Sequence, residues 1–291
     1  MSATTDGSRK VARLGTGNVH YREEGEGEPI VFIHGFGVDS RLWSETAAAL
    51  AGEHRCILPD LPLGSHTEAM APNADQTAPG VVRLIAEFLE SLDLDGVTIV
   101  GNDSGGALSQ ILVTEHPTRI ARLVLTNSDC FENFPPKHFK AMSRAMRLPG
   151  IPAAFAHSMR VRSIRRSPVA YGALTETPID DSLLRSWTEP QLEDAGVRRD
   201  GARFFASADT RDTMRAAEKL PALEIPALLV WGDADRFFTV EDARRIAGLI
   251  PDSKLVEVLG GKTFLPLDRP GEVAKAIAEF VAARPLAGAI S

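Results

Sequence analysis

The segment Val97-Thr98-Ile99-Val100-Gly101-Asn102-Asp103-Ser104-Gly105-Gly106-Ala107 restricts the fold of this 291-residue chain more than any other. A β-branched run reads as a buried strand, small residues permit a sharp turn, and a helical pattern follows to Glu115. A strand that runs straight into a helix points to a parallel sheet, because the helix must carry the chain back before the next strand can lie alongside. Gly101 and Gly105 stand two residues before and after Asp103, where strand and helix backbones crowd, so Asp103 is the side chain lifted above the sheet. Placing Ser104 there instead would put Asn102 where a small residue is needed. The plainer reading is a Gly-rich turn whose aspartate caps the helix.

The same alternation extends along most of the chain. Strands are predicted at 11–14, 18–23, 30–34, 56–59, 97–101, 122–126, 227–231 and 255–258, the first two as an antiparallel start. Helices are predicted at 40–51, 78–92, 105–115, 240–249 and 271–283, enough to cover both faces of a mostly parallel sheet. Between Asp129 and Leu223 the alternation stops, and prolines punctuate a helical, loop-rich block. The expected organisation is therefore an α/β core of residues 1–128 and 224–291, with residues 129–223 inserted as a helical cap and frayed tails at 1–9 and 286–291. A net charge of -7 disfavours nucleic acid and anionic lipid as partners. The cluster Arg160, Arg162, Arg165 and Arg166 reads as a solvated helix face. No run approaches the roughly 18 apolar residues of a membrane span, and the polar opening residues disfavour export. Cys56 and Cys130 read as buried thiols of a reducing compartment, so the cytoplasm is the expected location. No phosphate-cradling loop or ligand cluster calls for a cofactor or a metal. The oligomeric state is open.

Two further motifs carry chemistry. Val31-Phe32-Ile33-His34-Gly35-Phe36-Gly37 is a buried strand ending in His-Gly, and Val230-Trp231-Gly232-Asp233-Ala234-Asp235 is a strand followed by an acidic loop. With the elbow, the inserted block and their order, these make nearly the whole chain resemble the α/β-hydrolase superfamily, and within it the haloalkane dehalogenase and epoxide hydrolase branch. The all-β chymotrypsin-like proteases, whose serine loop is similar to Asp103-Ser104-Gly105-Gly106, are rejected by the α/β alternation. The resemblance implies an α/β-hydrolase fold with an eight-stranded, mostly parallel sheet. It also implies Asp103 as nucleophile, Asp235 as the acid that orients a histidine, and backbone N–H groups of Phe36 and Ser104 as an oxyanion hole. His34 is expected to support its loop rather than act as a base. Asp129, after the sixth strand, is a second-ranked acid position.

The resemblance also brings departures. The histidine slot, in Leu259-Gly260-Gly261-Lys262-Thr263-Phe264, holds Thr263, and all seven histidines precede the end of the block. Threonine cannot take a proton from water near neutral pH, so a general base typically worth roughly 10²–10⁴-fold is missing. Another group supplies it, or the reaction is not hydrolytic, or Thr263 replaces a natural histidine and traps the ester. His66, in a loop at the carboxyl edge of the sheet, is a substitute to examine, though a surface histidine is the safer expectation; Lys262 is a weaker one. Ser104 stands where dehalogenases of this branch carry tryptophan or arginine, and only Tyr171 lies in the block where epoxide hydrolases present two tyrosines. Trp187, Phe131, Phe134, Phe155, Phe204 and Phe205 suggest an apolar pocket, though most such aromatics are core. The first reading is thus an enzyme acting on a small apolar molecule. The rivals are a cofactor-free lyase, isomerase or cyclase with Asp103 as base, and a non-catalytic binding protein.

Overall fold

The computed structural model describes residues 8–286. Eight strands form one sheet in the order β1-β2-β4-β3-β5-β6-β7-β8. They are β1 (Ser8–Leu14), β2 (Gly17–Glu24), β3 (Glu28–Ile33), β4 (His54–Pro59), β5 (Val97–Asp103), β6 (Ile120–Ser128), β7 (Ala227–Gly232) and β8 (Ser253–Val258). β1 and β2 pair antiparallel, β2 meets β4 antiparallel, and every other pairing is parallel. All eight predicted strands overlap an observed one. The fraying expected at the tails falls largely outside the described residues, and Ser8 and Arg9 belong to β1.

Strand alternation divides the core in two. Val31, Ile33, Ile99, Leu123 and Leu229 point to one face, while Ile30, Phe32, Val100, Val124 and Val230 point to the other, and all are fully buried. Central parallel strands buried on both sides read as unbroken apolar runs for this reason. On the first face pack α2 (Ala78–Ser91), α3 (Ser104–Glu115) and α10 (Val240–Leu249); on the second pack α1 (Ser44–Leu50) and α12 (Pro270–Ala282). The helix predicted at 40–51 begins as a 3-10 turn over Ser40–Trp43 before α1.

Between β6 and β7 the chain forms α4 (Lys140–Ala145), α5 (Ile151–Ser158), α6 (Arg162–Arg165), α7 (Asp181–Glu193), α8 (Ala195–Ser207) and α9 (Thr210–Lys219). Aspartates start the last three: Asp180, Asp194 and Asp209 each accept amide hydrogens of the first helical turn. A short α11 (Leu265–Asp268) precedes α12. The arginine cluster departs from the solvated face expected of it. Arg165 is buried, and Asp181 draws Arg162, Arg165, Arg166 and Arg185 together, because an acid at the start of α7 faces the end of α6. Cys56 and Cys130 are free, buried thiols. Among the described residues, no helix is long and apolar enough to cross a membrane.

Candidate active site

Asp103 ends β5 with φ 55° and ψ -133°, a left-handed conformation that a non-glycine side chain rarely adopts. The strain of such a residue persists only where its surroundings hold it, and here they do. A Cβ on Gly105 would lie 2.4 Å from the Ile33 carbonyl oxygen and 2.5 Å from that of His34; one on Gly35 would lie 2.2 Å from the Asp103 carboxylate. β3 and the first turn of α3 therefore clamp the elbow, and only glycine allows them to approach. The Asp103 side chain makes no capping hydrogen bond to α3, which removes the plainer reading of it as a helix cap.

The carboxylate faces a cavity of about 460 Å³. Its walls come from the sheet edge and from the inserted block: Phe36, Ser104 and Asp129 from the first, Phe134, Phe155, Phe204 and Phe205 from the second. Thr263 and Phe238 complete the floor, and among the described residues no Lys or Arg lines the cavity. Burial, with repulsion from Asp235, pushes the Asp103 carboxyl up to about 7, against the pull of the Ser104 amide. Burial likewise raises Asp235 to about 6, although the amides of Phe237 and Phe238 and the Nδ2 of Asn127 all donate to it. Asp235 is nearly buried and stands behind the cavity wall. The Thr263 hydroxyl is close enough to lower the Asp235 carboxyl, yet finds no hydrogen-bonding partner of good geometry. Asn102, beneath, donates 2.6 Å to the Thr263 carbonyl and holds that loop against the elbow.

The structure brings Asp103, Ser104, Phe36 and Thr263 to one cavity, with Asp235 adjoining. It adds a feature to the amide pair: the Phe36 N–H donates to the Ser104 hydroxyl at 2.8 Å, while the Ser104 N–H faces the Asp103 carboxylate. His34 supports its loop as expected. Its Nε2 accepts from the Leu61 amide, its Nδ1 meets the Gly35 carbonyl, and it does not line the cavity.

Two candidates are corrected. His66 is neither in the cavity nor on the surface: it is 3% exposed and lies 3.4 Å from Asp200 of α8, because the loop after β4 folds under the inserted block. Trp187 is fully buried but does not line the cavity either; its indole donates to Asp39 and its ring packs behind Tyr171. Phe131 is core, and Lys262 donates to the Thr175 carbonyl away from the floor. Tyr171 does line the cavity, with its hydroxyl committed to the Gly37 carbonyl. Sequence reasoning passed over Asn127, which ties Asp235 to Gly232, and His138, which sits at the cavity rim with its ring edge-on to Phe237. The β6 end position marks Asn127; nothing local marks His138.

A family model described as alpha/beta hydrolase fold matches residues 28–270, which span the elbow, the His-Gly loop, the inserted block and the acidic loop. The chain belongs to the alpha/beta hydrolase fold family. Within that family it is similar to haloalkane dehalogenase 2 of Mycobacterium tuberculosis, at 29% identity over 283 residues that cover 90% of this chain and 91% of the relative. Among solved structures, haloalkane dehalogenase DbeA from Bradyrhizobium elkani superposes with a TM-score of 0.79 at 19% identity, covering 95% of this chain and 98% of that one. Epoxide hydrolase CorEH superposes equally well, with a TM-score of 0.79 at 18% identity and coverage of 96% and 99%. The resemblance read from the sequence is thereby borne out at the level of the family, and the names of these relatives match the branch it pointed to.

Proposed function

We propose that this chain is a hydrolase of small, uncharged, apolar molecules and that it opens an epoxide through an ester, or an ester through a mixed anhydride, formed on Asp103. The observation that carries the reading is the elbow, which holds a carboxylate at the floor of an apolar cavity and ahead of the positive end of α3. Asp103 attacks, Asp235 is the supporting acid behind it, and the amides of Ser104 and Phe36 receive the oxyanion. Residues 129–223 act as a cap that keeps water from the reacting carbon. Halide departure is the less favoured branch despite the names of the relatives, because no indole N–H lines the cavity to receive the ion. The reading needs no metal or cofactor, and its partner is a small molecule.

A second reading rests on Thr263. With threonine in the histidine slot at 263 and with the Asp103 carboxyl raised to about 7, Asp103 could instead move a proton as a base in a lyase or isomerase. Solvent ¹⁸O in the product belongs to the hydrolase and its absence to the rival.

The direct test is intact-protein mass spectrometry after exposure to a panel of apolar epoxides and esters, with peptide mapping of any adduct. A mass increase that maps to Asp103 and vanishes in Asp103→Asn is the expected result. Adducts elsewhere, or ones indifferent to Asp103→Asn, would sink the nucleophilic reading.

A further inference from the structure

Asp129 has no task in the scheme above, yet it is the acidic group placed next to Asp103. It follows directly on β6, where Ser128 pairs with Asp103, and its amide donates to the Asp103 carbonyl at 3.3 Å. From α3, Gln110 holds the Asp129 carbonyl at 2.9 Å, so the backbone of Asp129 is fixed from two sides. Its side chain is treated differently. Asp129 is 2% exposed and lines the same cavity as Asp103, and its Oδ1 has no hydrogen-bond partner among the described residues. Buried polar atoms are normally paired, because an unpaired one has lost its water and gained nothing in return. A buried carboxyl left free beside the elbow is therefore available to a substrate.

We propose that Asp129 is a catalytic acid and base paired with Asp103, giving a proton to the departing oxygen of an epoxide and taking one from the water that clears the ester. The proposal rests on the reading of Asp103 as nucleophile. Its charge surroundings fit. From β5 it faces Asp103 and from the loop after β7 it faces Asp235, while the cap presents His138 and Tyr171 to the same cavity. Burial first, then repulsion from Asp103 and from Asp235, raise the Asp129 carboxyl well above the usual range, which favours its protonated form. Two neighbouring carboxyls in a dry site divide the work in this way, one ionised and one protonated.

The steps balance. An Asp103 oxygen bonds to an epoxide carbon, the ring C–O bond breaks, and the ring oxygen takes the Asp129 proton. The result is a hydroxyalkyl ester and an ionised Asp129. Water then adds to the ester carbonyl and yields a proton to Asp129, and the oxyanion forms beside the Ser104 and Phe36 amides. Collapse expels the diol oxygen, which takes the proton of the regenerated Asp103 carboxyl. Asp129 ends protonated and Asp103 ionised. Opening the epoxide thus creates the base that a histidine would otherwise provide. With an alkyl iodide the C–I bond breaks and iodide departs without a proton, so Asp129 stays protonated and unable to assist water.

The test compares an aryl epoxide and a primary alkyl iodide by intact-protein mass spectrometry and product formation, in the native chain and in Asp129→Asn. The native chain should turn over the epoxide but accumulate the alkyl ester from the iodide. Asp129→Asn should form the epoxide adduct roughly 10²–10⁴-fold more slowly while alkylating with the iodide at the native rate, which also shows that the variant is folded with Asp103 competent. Equal epoxide rates in the two proteins would overturn the acid role. Prompt clearing of the iodide-derived ester by the native chain would overturn the coupling between the two steps. Clearing lost in His138→Ala and kept in Asp129→Asn would assign the base to His138 and overturn the proposal. No adduct and no diol from either compound would mean that the nucleophilic reading itself has failed, a pattern none of the other outcomes produces.

Discussion

Asp103 is held in a setting that suits chemistry better than stability. Its carboxyl sits at about 7 in the folded protein against an ordinary 3.8, so the folded state binds the proton more tightly than the unfolded chain does. The stabilisation tied to that proton is fully present below about pH 4 and is lost as pH rises through about 7. Asp103→Asn should therefore raise unfolding free energy at pH 8 by on the order of 2 kcal/mol and change it little at pH 4, as read by urea denaturation; equal gains at both pH values would show that burial is not the cause. Activity should run the opposite way, rising as pH passes through about 7 and the nucleophile ionises. Thr263 is the other residue with a sharp expectation. Its buried, unpartnered hydroxyl lies on the cavity floor beside Asp235, so an imidazole there would have a carboxylate to orient it. Thr263→His should speed clearing of an alkyl ester on Asp103 by roughly 10²-fold or more, followed as loss of the mass adduct. An ester that persists unchanged would mean that the Thr263 loop does not present its side chain as a base.

At the scale of elements, the elbow depends on three backbones meeting without side chains between them. Gly105→Ala would drive a methyl group to 2.4 Å from the Ile33 carbonyl oxygen and 2.5 Å from that of His34, where neither β3 nor α3 can yield. The expected cost is about 3 kcal/mol, with loss of any Asp103 adduct, both measurable on one preparation. A folded variant with native reactivity would show that α3 tolerates a shift away from β3. Local pattern identified these elements well, because strand and helix periodicities are properties of neighbouring residues. The supporting role of His34 came instead from the family resemblance, and its bonds to the Leu61 amide and the Gly35 carbonyl agree with it. His66 and Trp187 were beyond local pattern. Each bonds a partner more than 100 residues away, Asp200 and Asp39, and no local pattern carries that distance.

At the scale of the whole molecule, the inserted helices and the sheet edge enclose a cavity with aromatic walls, Asp103 and Asp129 in its lining, and no Lys or Arg among the described residues to offset them. An anionic substrate would meet like charge in a site with little water to screen it. A neutral aryl epoxide should therefore be turned over at least about tenfold more efficiently than its carboxylate analogue, a difference of about 1.4 kcal/mol, compared as kcat/KM at pH 8. Equal values would mean that a cation reaches the site from elsewhere. The cavity also explains the uneven reading of the block's aromatics: Phe134, Phe155, Phe204 and Phe205 face the opening, whereas Phe131 and Trp187 fill the core beneath.

The positions of the strands along the chain, the glycine-bracketed elbow at Asp103 and the substitution of threonine at position 263 belong to the sequence alone, because each is written in the spacing of adjacent residues. The resemblance to a hydrolase branch follows from the same spacings. Only the tertiary structure decided which polar groups share a dry cavity. It set the unpaired carboxyl of Asp129 beside Asp103, withdrew His66 and Trp187 from the site, and joined the Ser104 hydroxyl to the Phe36 amide. Burial and charge repulsion act through space, and the distances that govern them exist only once β5, β6 and the inserted block have packed together.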